Sequence, residues 1–233
     1  MSAAAPSDPT LSLVRLLQLA SPALPIGAYS YSQGLEWVVA AGVVRDAATA
    51  RAWIASALEH SVAPGEAAVT WRALNAAQAE DWPELSEWND WFRASRETAE
   101  LRAETEQMGA SLFKLASDLE LIDEPTRAAA AALSPITLPG AYALIVRGFG
   151  VAPEAALVAY IWSWLENQVL AAIKTIPLGQ LAGQRLLADL GARIPAVVTI
   201  ARALAAGDVS SFAPGLALAS SRHETQYSRL FRS

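Results

Sequence analysis

Histidine and cysteine are the residue types that most often bind metals or act as nucleophiles, and this 233-residue chain is poor in both. It has no cysteine, which excludes thiol catalysis, disulfides and cysteine-ligated zinc or iron–sulfur sites. Its two histidines, His60 and His223, lie far apart in the sequence. Glu224 follows His223, but the second histidine of the zinc motif H-E-x-x-H is missing. His223 and Glu224 are therefore weak candidates for transient metal contact, and we predict no metal site.

The same two histidines leave one catalytic alternative open. This alternative is a stand-alone hydrolase of unknown substrate in which a serine is activated by His60 or His223. No G-x-S-x-G turn marks such a serine, and no G-x-x-x-x-G-K-[ST] loop predicts nucleotide hydrolysis. The sequence thus predicts a protein that is not an enzyme and has no cofactor, with the hydrolase as the second hypothesis.

Two segments have an unusual composition. Residues 24–36 read L-P-I-G-A-Y-S-Y-S-Q-G-L-E, in which aromatic and amide side chains alternate with small residues that would let another backbone approach closely. Residues 220–233, called the tail below, interleave three arginines with Tyr227, Leu230 and Phe231. Arginine and tyrosine are favoured at binding hot spots. The tail therefore either docks on its own domain or is ordered by a partner.

A polar strip runs along one predicted helix, 153–176, that is otherwise apolar around almost its whole circumference. Its members are Tyr160, Ser163, Asn167 and Lys174. Polar groups on a buried helix need hydrogen-bond partners or water. The strip is thus either satisfied internally or lines a hydrated passage.

The elements that position these residues are predicted to be helices, because alanine, leucine, glutamate, arginine and glutamine dominate the chain. The predicted helices span 10–20, 28–41, 46–62, 65–79, 84–107, 108–121, 124–133, 140–148, 153–175, 178–190, 194–206 and 214–219. In 84–107, the spacing of Arg93 with Glu97 and of Arg96 with Glu100 predicts ion pairs one helical turn apart. No linker divides the chain. We predict an all-α, single-domain bundle of roughly ten helices over 10–219, a disordered segment over 1–9 and the tail over 220–233.

Charge and hydropathy restrict the kinds of partner. The chain has 17 basic and 23 acidic residues, a net charge of −6, which argues against nucleic-acid binding. The mean hydropathy of +0.27 raises the alternative of a peripheral membrane protein. The strongest apolar run, 155–165, ends at three polar residues and is shorter than the roughly 20 residues of a membrane span. The first ten residues lack the order of a signal peptide, so we predict a cytoplasmic protein that binds no membrane.

Several long motifs resemble the UreF family of urease accessory proteins. The resemblance covers essentially the whole chain after the first ten residues. It comprises residues 24–36, R-x-x-R-E-T-x-E-L-R at 93–102, Gln107-Met108-Gly109, Asn167, Lys174, P-L-G-Q-x-x-G-Q-R at 177–185 and H-E-x-Q-Y-S-R-L-F-R-S at 223–233. Gln33 stands where many relatives have histidine, which argues against direct nickel binding by that motif, because an amide is a poorer ligand than imidazole.

The resemblance implies an all-helical chaperone that inserts nickel into urease and has no catalytic activity of its own. Family members form homodimers, bind the accessory protein UreD (also called UreH), recruit the GTPase UreG and dock on apo-urease. Nickel is then released when GTP is hydrolysed. The resemblance also implies two sets of partner-binding residues: Tyr29, Ser30, Tyr31, Gln33, Gly34 and Glu36 in the first motif, and His223, Glu224, Gln226, Tyr227, Arg229, Leu230, Phe231 and Arg232 in the tail.

Overall fold

The computed structural model describes residues 8–233, and within that range it contains helices and no strands. The helices are α1 Pro9–Leu19, α2 Leu35–Ala40, α3 Ala47–Ala57, α4 Ala67–Ala79, α5 Trp82–Ala94, α6 Ala99–Asp118, α7 Glu124–Ala132, α8 Leu138–Phe149, α9 Pro153–Thr175, α10 Gln180–Gly191, α11 Ile194–Ala203 and α12 Pro214–His223. The predicted all-α fold of roughly ten helices is confirmed.

The two ends of the helical body differ slightly from the predicted boundaries. Most of the segment predicted to be disordered, residues 1–7, lies outside the described residues. Asp8 caps α1 by accepting a hydrogen bond from the Thr10 amide at 2.8 Å, so the helix begins at Pro9 rather than after it. At the other end α12 continues to His223, four residues into the predicted tail.

The segment predicted as one helix over 28–41 is divided. A single 3₁₀ turn covers Ala28–Ser30, and α2 begins only at Leu35. The cause is the backbone between them, where Gln33 and Gly34 have φ values of +53° and +80°. Left-handed residues cannot continue a right-handed helix, so the chain turns there.

The break predicted at 107/108 is wrong, and the helix that contains these residues is interrupted earlier. Helix α5 ends at Ala94, and the Thr98 hydroxyl caps α6 by accepting from the Leu101 amide at 3.2 Å. Because residues 95–98 are not helical, the ion pairs predicted from one-turn spacing do not form. Arg93 instead pairs with Glu106 at 2.6 Å, and Arg96 lies 3.8 Å from Glu66.

The helices predicted over 46–62 and 65–79 are joined. Asp46 caps α3, and nine residues with π-helical turns, Leu58–Glu66, connect α3 to α4 without a break. Proline normally ends a helix because it lacks an N–H and collides with the preceding turn. The wider turns accommodate Pro64, whose carbonyl accepts a hydrogen bond from the Ser210 amide at 3.0 Å. This connection brings Glu66 into the interior.

Helix α9 is the central element. It contacts α1, α2, α3, α4, α10 and α11, and residues such as Leu157, Ile161 and Leu165 are fully buried. Within the described residues, α9 is the one helix long and apolar enough to cross a membrane by length and composition. The prediction that no segment meets this criterion is therefore wrong. A core helix of a bundle also meets it, and just over half of the apolar stretch of α9 is buried among other helices.

Candidate partner-binding surface

The first motif and the tail, which are about two hundred residues apart in sequence, lie in direct contact. The backbone N–H and side-chain hydroxyl of Ser32 both donate to the carbonyl oxygen of Ser233, at 2.7 and 2.5 Å. The Arg232 amide donates to the carbonyl of Ser30 at 2.8 Å. We call the contact between residues 29–36 and 223–233 the motif junction.

Glu36 is the main acceptor of the motif junction. It lies in the first turn of α2 and is only 9% exposed. Its two carboxylate oxygens accept the backbone amides of Leu230 at 2.6 Å and Phe231 at 2.9 Å. One oxygen also lies 3.1 Å from Nε2 of His223. One acidic side chain thus holds both the start and the end of the tail.

His223 is fully buried between two carboxylates. Its Nδ1 lies 2.7 Å from Glu100 of α6, opposite the contact with Glu36, and Arg229 donates to the other oxygen of Glu100 at 2.5 Å. Glu224 accepts the amides of Ala99 and Glu100 at the start of α6, at 2.9 and 3.3 Å. Both weak metal candidates are therefore engaged in contacts within the chain. Residues 8–233 contain no group of three or more side chains that could hold a metal ion.

Gly34 allows the first motif to approach α12. Its φ of +80° is unfavourable for residues with a side chain, and a β-carbon there would lie 2.9 Å from both the Ala219 β-carbon and the Ser220 amide nitrogen. On the next side of α12, the Ser220 and Thr98 hydroxyls are hydrogen-bonded at 2.7 Å. The small residues Gly34, Ala219 and Ser220 thus allow the backbones of the first motif and α12 to lie close together, next to Thr98 at the start of α6.

Below the motif junction, Gln33 and the tail share one buried acid. The Gln33 amide donates to Glu104 of α6 at 2.8 Å and accepts from the Trp164 indole at 2.8 Å. The Ser233 hydroxyl donates to the other Glu104 oxygen at 2.9 Å. Burial raises the pKa of Glu104 to about 7, while the hydrogen bonds from Gln33 and Ser233 lower it to a smaller extent.

The polar strip of α9 divides into two parts. Tyr160, Ser163 and Asn167 line a partly open cavity of about 90 Å³, together with Gln33 and Glu104. Each also has an internal partner: Tyr160 donates to Glu66 at 2.7 Å, Ser163 to the Ala159 carbonyl at 2.9 Å, and Asn167 to the Tyr31 carbonyl at 2.9 Å. Burial raises the pKa of Tyr160 well above its ordinary value, so its phenol stays protonated.

Lys174 lies at the motif junction instead of in the cavity lining. Its ammonium group is 5.7 Å from the centroid of the Tyr29 ring and 5.6 Å from that of Phe231. Both distances suit a cation–π contact, which is worth about 0.5–1 kcal/mol at exposed sites. The lysine therefore connects α9 to one aromatic residue from each motif.

The outer face of the motif junction combines exposed apolar and basic groups. Tyr29, Tyr227 and Leu230 are 57%, 105% and 64% exposed, whereas Phe231 is 5% exposed and anchors the tail. Arg229 and Arg232 lie beside them at the surface. The predicted partner-binding residues are therefore of two kinds: some are exposed at the surface, and others, such as Phe231, are buried and hold the tail on the helical body.

Three residues of this region were not identified as site residues from the sequence: Glu66, Glu100 and Glu104. Glu100 belongs to the motif 93–102, but its predicted ion pair with Arg96 hid its contact with the tail. Glu100 and Glu104 are one helical turn apart on α6, a spacing that places two acids on one face. Their partners, His223 and Ser233, come from the far end of the chain, so the sequence around α6 does not reveal that this face is buried.

The fold and the motif junction define an all-helical protein that holds two distant motifs together at one partly exposed surface. The UreF family model matches residues 44–191. The chain is 54% identical to the urease accessory protein UreF of Azoarcus sp. (strain BH72), over 98% of both chains. It is 51% identical to the urease accessory protein UreF of Dechloromonas aromatica (strain RCB), over 96% of this chain and 98% of that protein. The chain therefore belongs to the UreF family of urease accessory proteins.

A third relative has a different organisation. The bifunctional urease accessory protein UreEF of Bordetella bronchiseptica is 52% identical over 98% of this chain, which corresponds to 53% of that longer protein. In that relative, a region similar to the whole of this chain is part of a protein with a second named accessory component.

Proposed function

We propose that this chain is a nickel-insertion chaperone of urease, which bridges UreD/UreH and the GTPase UreG and couples GTP hydrolysis to nickel delivery into apo-urease. The motif junction carries this proposal, because it presents a surface suited to binding other proteins. The names of the relatives support a role in urease maturation. The working state is a cytoplasmic homodimer that needs no cofactor.

The exposed part of the motif junction is the proposed partner contact. Tyr227 and Leu230 are exposed although they are apolar or aromatic, and arginines lie beside them. Large exposed apolar groups beside arginine are the composition of binding hot spots. Glu36, His223 and Phe231 act indirectly, because they are buried and hold the exposed residues in place.

The cavity beside α9 supports a second element of the proposal. Tyr160, Ser163 and Asn167 supply oxygen and nitrogen groups without a tight metal cage, which suits a cargo ion that must move on. Lys174 lies outside this lining and belongs to the motif junction. We therefore assign the hydrated passage to the first three residues alone.

The geometry favours this function over a hydrolase that uses a serine with His223. Both ring nitrogens of His223 lie within hydrogen-bonding distance of carboxylates, at 2.7 and 3.1 Å, rather than facing a serine hydroxyl. Nucleophilic catalysis requires a serine within hydrogen-bonding reach of the base. His60 is exposed in a surface groove beside Trp53 and Phe212, outside the motif junction.

Co-purification tests the proposed contact. Deletion of 223–233 should abolish the complex with UreD/UreH and UreG while the far-ultraviolet circular dichroism of the chain stays helical. Because deletion also removes buried contacts, Tyr227→Ala with Leu230→Ala is the sharper variant. Phe212→Ala is the matched control, since Phe212 is 80% exposed on the loop before α12. Normal complex formation by the double variant would show that the tail surface is not the contact.

A further inference from the structure

Glu104 differs from Glu36 and Glu100, the other acids that contact the tail, because its closest partners are neutral. Its two oxygens accept from the Gln33 amide and the Ser233 hydroxyl, one group from each motif. It is only 7% exposed, and apolar side chains such as Met108 and Leu138 line the small cavity next to it. A carboxylate in such surroundings loses most of its hydration without gaining a cation of its own.

The charged and titratable groups around Glu104 come from several elements. Glu66, from the π-helical turns, is an acid of the same sign, and Arg96, from the loop after α5, is the compensating cation. Arg96 lies 3.8 Å from Glu66 and stacks 4.2 Å from the Phe92 ring, so its charge is shared. Tyr31 and Tyr160 are phenols with raised pKa values and remain neutral near pH 7.

The cations of the tail are directed to other groups. Arg229 pairs with Glu100, and Arg232 donates to the Gln107 amide oxygen at 3.4 Å. His223 lies between Glu36 and Glu100. The tail therefore covers Glu104 with the neutral hydroxyl of Ser233, while its Arg229, Arg232 and His223 side chains contact other groups.

We propose that docking of the tail on the helical body is linked to the binding of one proton by Glu104. In the docked state the protonated oxygen of Glu104 donates to the Ser233 hydroxyl, which can act as donor or acceptor, while the other oxygen still accepts from Gln33. When the tail leaves, water reaches Glu104 and the carboxylic acid loses its proton to solvent. No covalent bond other than this O–H bond is formed or broken.

The direction of the effect follows from the two protonation states. Burial raises the pKa of Glu104 from 4.5 to about 7 in the docked chain, and exposure returns it toward its ordinary value. Between these values the docked state holds one more proton than the undocked state. The docking equilibrium constant is therefore greatest at acidic pH, falls by up to about tenfold per pH unit as the pH rises from 4.5 to about 7, and levels off at higher pH. The linkage concerns the isolated chain, and only its effect on partner access rests on the proposed function.

Amide hydrogen exchange measured by NMR between pH 5.5 and 9 tests this linkage in the full chain without partners. The readout is the protection factor, corrected for the intrinsic exchange rate at each pH, of the Leu230 and Phe231 amides. Glu104→Gln keeps an acceptor for Gln33 but cannot ionise. Glu106→Gln is the control, because Glu106 lies on the same helix and pairs with Arg93 at the surface. Any contribution from His223 is present in all three chains and cancels in their ratios.

The expected result is that the protection ratio of the native chain to Glu104→Gln falls by up to about tenfold per pH unit between pH 5.5 and about 7 and levels off at higher pH. The ratio of the native chain to Glu106→Gln should stay constant. A ratio to Glu104→Gln that does not change with pH would overturn the proposal. Failure of the proposed partner contact would leave this result unchanged, so the two ideas are tested separately.

A second measurement covers the case in which Glu104→Gln does not fold. Carbon-13 NMR of the Glu104 carboxyl should show a titration midpoint near pH 7 in the native chain. The midpoint should move toward 4.5 in Glu36→Ala, which loses the main acceptor of the tail. A native midpoint below pH 5, or the same midpoint in both chains, would contradict the linkage.

Discussion

At the residue scale, the motif junction depends on single acids that each satisfy several distant donors. Glu36 accepts from two tail amides and contacts His223, and Glu100 contacts His223 and Arg229. Hydrogen bonds to charged groups are stronger than neutral ones, and an unpaired buried N–H is costly. The stability of the junction is therefore concentrated in few side chains.

Replacement of Glu36 tests this concentration. Glu36→Ala leaves the Leu230 and Phe231 amides without their acceptor, so we expect the free energy of unfolding to fall by about 2–4 kcal/mol. Urea denaturation followed by circular dichroism measures the change. Glu87→Ala, an exposed acid on α5, should change the stability by less than about 0.5 kcal/mol. Equal effects of the two variants would mean that Glu36 has no special role.

The pH dependence of stability tests the burial of Glu104. Because the pKa of Glu104 in the folded chain, about 7, exceeds the ordinary 4.5, the folded chain binds more protons between these values. The stabilisation from this group is complete below about pH 4.5 and is lost as the pH rises through 7. Between pH 5 and 8, the stability of the native chain relative to Glu104→Gln should fall by up to about 3 kcal/mol. Urea denaturation at both pH values measures it, and an unchanged difference would refute the assigned burial effect.

The sequence indicates the unusual residues but not their partners. The alternation of small and aromatic residues at 24–36 correctly marks a place of close backbone approach, as Gly34 shows. The roles of Glu66, Glu100 and Glu104 depend on contacts with residues 94, 123 and 129 positions away. No local spacing encodes such contacts, so they could be found only once the helices were packed.

At the element scale, two helix boundaries decide the geometry of the motif junction. The left-handed residues at 33–34 end one turn and begin α2, which places Glu36 in the first turn of that helix. Because residues 95–98 form a loop, the first amides of α6 have no acceptor within the helix and donate to Glu224. Continuous helix-forming composition over 84–107 hides this loop, because propensity alone does not reveal a break that tertiary contacts stabilise.

The close contact between α12 and Gly34 predicts that adding one methyl group at this position lowers the stability of the chain. Gly34→Ala must adopt φ +80° and also place its β-carbon 2.9 Å from α12. Gly42 has a similar φ of +73° but nothing within 4 Å of a β-carbon. Each variant should lose about 1 kcal/mol from backbone strain, and Gly34→Ala should lose about 1–3 kcal/mol more from overpacking. Thermal denaturation gives the comparison, and equal losses would mean that α12 is not in close contact.

At the scale of the whole molecule, the fold class follows from composition, whereas the arrangement of the tail does not. Alanine- and leucine-rich periodic segments leave few alternatives to a helical bundle, and the apolar circumference of α9 indicates its central position. The residue types of the tail suit both docking on the helical body and binding to a partner, so they do not decide between the two. Its docking is visible only from Phe231, Ser233 and the acceptors that they reach on α2 and α6.

On the proposed function, this chain works by presenting one surface, the exposed face of the motif junction, to other proteins. Urease produced together with the native chain and its partner proteins measures this most directly, through its nickel content and activity. With Tyr227→Ala and Leu230→Ala in place of the native chain, we predict urease that is poor in nickel and weakly active, whereas Phe212→Ala should behave as the native chain. Fully nickel-loaded, active urease obtained with the folded double variant would contradict the account.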